Sequence, residues 1–181
     1  MLIICRRGKS FPADVGFRLR KWGCMFLLPY LALLVSVGLV CVDQLLKLAA
    51  LEWLKPVHTV PLIEGVLHLT YVENRGASFG MMAGQQWLLV WVTALVLLAL
   101  AVAIVAGKIR DRFALFNVAV ILGGGVGNLI DRVYRGFVVD YVDFQLINFA
   151  VFNFADICIT VGTAVLVCWI IFGQSQRKGK E

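Results

Sequence analysis

The chain has 181 residues, of which 61% are hydrophobic and only 15% charged, and its mean hydropathy is +0.88. These values exclude an ordinary soluble globular domain and imply a polytopic membrane protein, which the order of its apolar runs makes all-α, with four transmembrane helices and a small extracytoplasmic β element. The net charge of +6 does not point to nucleic acid, because the basic residues are segregated between the apolar runs.

Residues 1–24 read as a basic cytoplasmic extension holding Arg6, Arg7, Lys9, Arg18, Arg20 and Lys21. The apolar stretch before Arg6 is too short for a cleavable signal, and Met25, directly before the first long run, leaves the translation start open. The apolar runs Met25–Leu46, Trp87–Ala106, Phe113–Ile130 and Val151–Phe172 are long enough, or nearly so, to cross about 30 Å of hydrocarbon at about 1.5 Å per residue. Lys108, Arg110 and Arg112 separate the second and third runs, and Arg177, Lys178 and Lys180 follow the fourth. By the positive-inside rule these regions and both termini are cytoplasmic. Segments 47–86 and 132–150 then fall outside. The expected division is a four-span membrane domain over 25–172, with an outer β element within 47–86, and a basic cytoplasmic tail over 173–181.

The first span carries Pro29 in its opening turns, where a missing N–H is tolerated. It ends in Asp43-Gln-Leu-Leu-Lys47, an acid before a base at i,i+4. That pair either anchors the helix end at the interface or belongs to a site. Val57–Ile63 and Val66–Val72, separated by Glu64-Gly65, predict a two-stranded ribbon, which must lie against the membrane or the helices to be stable. His58 and His68 fall in it without the HExxH spacing of a zinc site. The turn-prone run Glu73-Asn-Arg-Gly-Ala-Ser-Phe-Gly80 leads to Met81 and Met82. It suits either a close backbone approach, as in a substrate-binding loop, or a simple return to the membrane.

The second span reads as scaffold, with Trp87 and Trp91 near its outer end. In the third, Gly123 and Gly127 have GxxxG spacing, the signature of close helix packing, and Asn128, Asp131 and Arg132 then share one helix face. Gly136 to Phe144 is a short extended or amphipathic linker holding Asp140 and Asp143, and Asn153 and Asp156 open the fourth span at i,i+3. The five cysteines, Cys5, Cys24, Cys41, Cys158 and Cys168, are odd in number and have no metal-ligand spacing, so they read as packing residues.

A carboxylate at bilayer depth is expensive and is usually functional. Two brought together share a proton, leaving one as base and one as acid. No serine or cysteine here has a histidine partner at a suggestive position, and no phosphate-binding glycine motif is present. Carboxylate chemistry is therefore the strongest enzymatic candidate, with no metal or cofactor. The competing reading is a small transporter or channel subunit using its acids as an ion site, although the two halves share no repeat. A purely structural membrane protein ranks third.

Taken in order, Asp43…Lys47, Asn74-x-Gly-Ala-Ser-Phe-Gly, Gly-Gly-Val-Gly-Asn128-Leu-Ile-Asp131-Arg132, Gly136-Phe-Val-Val-Asp140 and Phe152-Asn153-Phe-Ala-Asp156 resemble the motifs of bacterial signal peptidase II, the lipoprotein signal peptidase. The likeness spans about residues 26–172. It implies a monomeric aspartic endopeptidase of the bacterial cytoplasmic membrane, with its active site near the extracytoplasmic face. Its substrates would be diacylglyceryl-modified prolipoproteins lying among the membrane lipids, cut on the amino side of the lipidated cysteine. The same resemblance assigns Asp140 and Asp156 as the catalytic dyad and leaves Asp143 to the linker. It puts Asn74, Gly76, Asn128, Arg132 and Asn153 in the site lining, with Asp43, Lys47 and Asp131 supporting them. Two positions depart from the family pattern: Ala150 stands where proline is usual, and Cys158 where serine is frequent.

Overall fold

The computed structural model describes residues 13–76, 85–147 and 149–173, with side chains from residue 27 onward. Helix α1 runs Ala13–Ala49 and continues as a π-helical turn, Ala50–Leu54. Strands β1 (Thr59–Ile63) and β2 (Leu67–Asn74) follow, then helices α2 (Gln86–Val105) and α3 (Arg112–Tyr134), strand β3 (Val138–Phe144) and helix α4 (Phe154–Cys168), which ends in a second π-helical turn, Trp169–Gly173. Four helices, Leu27–Leu54, Gln86–Val105, Arg112–Tyr134 and Phe154–Gly173, are long and apolar enough to cross a membrane. The first half of the expected basic extension, residues 1–12 with Cys5, lies outside the described residues. So do Ala77–Gly80 with Met81 and Met82, and the basic tail from 174 onward.

Helix α3 is the centre of the bundle. Half of its most apolar window is buried, against 17 to 22% for the other three, because α1, α2 and α4 all pack on it. The glycines make this approach possible. A Cβ on Gly123 would stand 3.0 Å from the Ser36 carbonyl of α1, and one on Gly124 would stand 2.5 Å from the Ala155 carbonyl of α4. A Cβ on Gly127 would fall on the Asp43 carboxylate. Ser36 Oγ donates to the Ala119 carbonyl at 2.7 Å, fastening α1 to α3 further along. The large apolar side chains left exposed on α1, α2 and α4, such as Leu34, Leu95 and Ile171, are what a helix presents to lipid.

Several boundaries differ from the sequence reading: α1 with its π-helical turn runs on to Leu54 rather than Leu46, and α3 to Tyr134 rather than Ile130, so the starts of the segments expected outside are helical. Helix α1 starts at Ala13 rather than Met25, and no proline interrupts residues 13–25 to stop it. Helix α4 starts at Phe154 rather than Val151, because Phe152 is occupied in backbone pairing with Val142 and Asn153 caps the helix. The predicted two-stranded ribbon is a three-stranded antiparallel sheet of order β1-β2-β3. The stretch expected to be a linker is its third strand, with Val72 opposite Asp140 and Asn74 opposite Val138. Two aspartates interrupt the apolar alternation of Val138–Phe144, which hides the strand, and the pairing comes from β2, far back in the chain. Gly136, at φ +81°, makes the sharp turn from α3 into β3.

Gly124→Ala is expected to cost about 1–3 kcal/mol through helix separation, seen as a lower thermal unfolding midpoint in detergent. Gly38→Ala, where a Cβ would meet nothing within 4 Å, is expected to leave that midpoint unchanged or raise it.

Candidate active site

Behind the site lies a buried ionic layer between α1 and α3. Lys47, with no exposed side-chain surface, places its ammonium 2.8 Å from Asp43 Oδ2 and 3.2 Å from Asp131 Oδ2. It also donates to Asn128 Oδ1 at 2.8 Å, so each of its N–H bonds has an acceptor. Asp131 is equally buried. Its Oδ2 accepts the Val139 backbone N–H at 3.0 Å, while its Oδ1 accepts from Gln44 Nε2 at 3.2 Å and from Arg135 Nη1. Asp43 Oδ1 accepts the Ala155 N–H at 3.1 Å, so a single α1 carboxylate touches both Lys47 and the first turn of α4. The pair is buried inside the bundle, where it joins α1 to α3 and α4, so it does more than anchor the end of its own helix.

In front of this layer, β3 and the start of α4 bring Asp140 and Asp156 to one residue, Asn153. Asn153 Nδ2 donates to Asp140 Oδ1 at 2.6 Å, and its backbone N–H donates to Asp156 Oδ2 at 3.2 Å. Its Oδ1 accepts the Asp156 N–H at 3.0 Å, a capping box that starts α4. That bond also fixes the amide orientation, since a backbone N–H can only donate.

The other amides are oriented by the same logic. Asn128 Oδ1 faces the Lys47 ammonium, so its Nδ2 is turned to Asp156 Oδ1 at 2.8 Å. Asn74 Oδ1 accepts the Gly76 N–H at 3.0 Å, which turns its Nδ2 to Asp140 Oδ2 at 2.9 Å. Arg132 reaches the Gly76 carbonyl at 3.3 Å and the Asn128 carbonyl at 3.4 Å, drawing the end of β2 onto α3. All ten residues singled out in the sequence, Asp43, Lys47, Asn74, Gly76, Asn128, Asp131, Arg132, Asp140, Asn153 and Asp156, thus belong to one hydrogen-bonded network.

Asp143 stands apart from it. Residues three apart on a strand point to opposite faces, and its partners are Thr70 Oγ1 at 2.8 Å and Gln145 Nε2 at 2.5 Å, neither of which touches Asp140 or Asp156. His58 is exposed and His68 half-buried, and among the described residues no group of three histidines, cysteines or acids is disposed to hold a metal ion.

Four contributors went unread in the sequence. Gln44 and Arg135 complete the shell of Asp131, and Arg135 also donates to Gln44 Oε1 at 3.0 Å. The i,i+4 spacing of Asp131 and Arg135 was an available signal. Gln86 Nε2 donates to the Arg132 carbonyl at 2.7 Å, and Tyr141 accepts the Phe154 N–H on its hydroxyl at 3.2 Å. A side chain that bonds only to backbone leaves no pattern in sequence.

Burial, reinforced by the charge of Asp156, pushes the Asp140 carboxyl up to about 6, against the opposing pull of the Asn74 and Asn153 amides and Lys47. Burial likewise pushes the Tyr141 phenol up to about 12, so it stays neutral. A raised acid favours the folded state below its unfolded value near 4 and loses that contribution as pH rises through about 6. At neutral pH the ionised Asp140 is therefore a net cost to the fold.

A family model described as Signal peptidase (SPase) II matches residues 35–172. A lipoprotein signal peptidase of Clostridioides difficile is 40% identical over 148 residues, covering 82% of this chain and 99% of its own length. One from Nostoc is 42% identical over 126 residues, covering 70% of this chain and 80% of its own. Among solved structures, a bacterial membrane enzyme determined by the in meso method at 2.3 Å resolution aligns with a TM-score of 0.72 at 28% identity, covering 81% of this chain and 90% of that one.

Lys47→Met is expected to strand Asp43 and Asp131 with one remaining cation between them, costing about 3–5 kcal/mol. The check is the thermal midpoint and monodispersity of the purified variant in detergent, both of which fall below wild type.

Proposed function

The chain belongs to the signal peptidase II family, and on that footing we propose that it is an aspartic endopeptidase embedded in the membrane, with Asp140 and Asp156 as its catalytic dyad. Its substrates are prolipoproteins whose signal peptide ends before a diacylglyceryl-modified cysteine, and the cut falls on the amino side of that cysteine. Membership in a peptidase family removes the transporter reading. The observation that carries the dyad assignment is the position of Asn153, which donates one N–H to each acid.

The chemistry follows from the pair sharing one proton. The ionised carboxylate takes a proton from a water as that water attacks the scissile carbonyl carbon, and the protonated one hydrogen-bonds the developing oxyanion. Collapse of the tetrahedral adduct breaks the C–N bond as a proton passes from the dyad to the leaving amine. Asn74, Asn128 and Asn153 hold the carboxylates in register, and Arg132 draws the Gly76 backbone toward the site, where it lines the path of the substrate.

Asp156 is the third residue of α4, only a few ångströms along the helix axis from its start. With both termini cytoplasmic, as the positive-inside rule favours, that depth lies just under the extracytoplasmic interface. A lipid-anchored substrate, held among the membrane lipids, presents its scissile bond there. Irregular backbone at this depth has to be satisfied by protein or cavity water, which the amide-rich lining supports. The working unit is a monomer of the 25–172 membrane domain, with the sheet as its outer β element.

Asp140→Asn and Asp156→Asn, assayed in detergent on a lipidated precursor, are each expected to lower kcat at least about 10³-fold while substrate still binds. Asp143→Asn is expected to keep most of its activity. An active Asp140→Asn beside a dead Asp143→Asn would reverse the assignment. Because every dyad oxygen accepts from an amide N–H rather than facing a cation cage, cleavage is expected to persist in excess chelator. Because the active pair holds one proton, kcat/KM of the free enzyme is expected to decline on the alkaline side of an apparent value of about 6, a value that belongs to the pair.

A further inference from the structure

Arg135 lies outside every motif that carries the family resemblance, yet its guanidinium is tied into the ionic layer. It pairs with Asp131 Oδ1 and donates to Gln44 Oε1 at 3.0 Å. Gln44 in turn donates from Nε2 to Asp43 Oδ2, Asp131 Oδ1 and the Gly127 carbonyl, at 3.1 to 3.2 Å. Lys47 has no capacity left for Asp131 Oδ1, since its three N–H bonds go to Asp43, Asp131 Oδ2 and Asn128. With Arg135 present the layer holds two acids and two bases and is neutral. Without it, two buried carboxylates would face one ammonium.

That charge would sit one residue from the chemistry. Asp131 Oδ2 accepts the N–H of Val139, the neighbour of Asp140, while Lys47 reaches Asp156 through Asn128. The charged groups that act on Asp140 are Lys47 from α1, Arg132 from α3 and Asp156 from α4, with Asp43 and Asp131 behind them as the partners of Lys47. From β2 there is Glu73, itself paired with Lys55 and Arg75.

We propose that Arg135 is a positioning residue of the reaction: by keeping the layer behind Asp140 and Asp156 neutral, it sets the pH range over which the pair carries a single proton. The proposal rests on the reading of those two acids as the catalytic dyad. Removing a positive charge from the layer makes the second deprotonation of the dyad harder and moves the alkaline limb of kcat/KM up. Removing a negative charge moves it down.

The test is a charge cycle in the full chain, purified in detergent and assayed on a diacylglyceryl prolipoprotein from about pH 5 to about pH 9. Arg135→Gln is expected to move the alkaline limb up by about one pH unit, raising the ratio of kcat/KM at pH 8 to that at pH 6 on the order of tenfold over wild type. Asp131→Asn, which keeps an acceptor for Val139, moves the limb down by a similar amount. The double variant returns it to the wild-type position, and Arg135→Lys leaves it there. Limbs that stay put in both single variants, whatever happens to the rates, overturn the proposal, as do limbs that move in the same direction. Should Arg135→Gln not fold, the downward shift in Asp131→Asn and its reversal in the double variant decide the matter. Asp140→Asn run alongside separates the two levels: surviving activity overturns the dyad, whereas a dead Asp140→Asn with unmoved limbs overturns only the role given to Arg135.

Discussion

Lys47 has three N–H bonds and three acceptors, the carboxylates of Asp43 and Asp131 and the amide oxygen of Asn128. An ammonium stripped of water is unstable unless every proton is matched, so this one cation requires α1 and α3 to meet in a single register. The glycines of α3 allow that meeting. Gly127 leaves room for the Asp43 carboxylate where any other residue would put a side chain. From there Asp43 reaches the Ala155 N–H of α4, and Asp131 reaches the Val139 N–H of β3. The two segments that carry Asp140 and Asp156 are thus each fastened by an acid that Lys47 holds.

The helical part of this arrangement was legible in the sequence because its signals are local. Hydropathy gives four spans, GxxxG spacing gives the tight face of α3, and i,i+3 or i,i+4 spacing puts Asn128, Asp131 and Arg132 on one side of it. The same arithmetic pairs Asp43 with Lys47, but it does not say whether the pair is at the interface or in the core. That depends on α3, some eighty residues later in the chain.

Strand β3 was not legible for the same reason. Its partner β2 lies far back in the chain, and Asp140 and Asp143 break the apolar alternation that would advertise a strand. Spacing alone also could not choose between those two acids. The family likeness is what favours Asp140; the structure adds that Asp143 has its own partners, Thr70 and Gln145, outside the network of Asp140 and Asp156. Gln44 and Arg135 were missed because their common partner, Asp131, was read only as one member of a helix face. The i,i+4 spacing could have paired Arg135 with Asp131, but the contact from Gln44 on α1 is a three-dimensional requirement that no spacing expresses.

The choice of amides around the two acids has a physical reason. An arginine or lysine in direct contact would hold a carboxylate ionised far below neutrality, and two such contacts would leave no proton to share. Asparagine N–H groups orient a carboxylate while adding no charge, so burial and mutual repulsion still keep Asp140 raised. Lys47 acts on Asp156 through Asn128, and the hydrogen bonds of the Arg132 guanidinium go to the Asn128 and Gly76 carbonyls. Each asparagine is in turn locked by a group that can only donate, the Lys47 ammonium for Asn128, the Asp156 N–H for Asn153 and the Gly76 N–H for Asn74. None of the three can flip its amide without placing donor against donor. The acids are therefore held by neutral groups, an arrangement that suits the single shared proton of the proposed dyad.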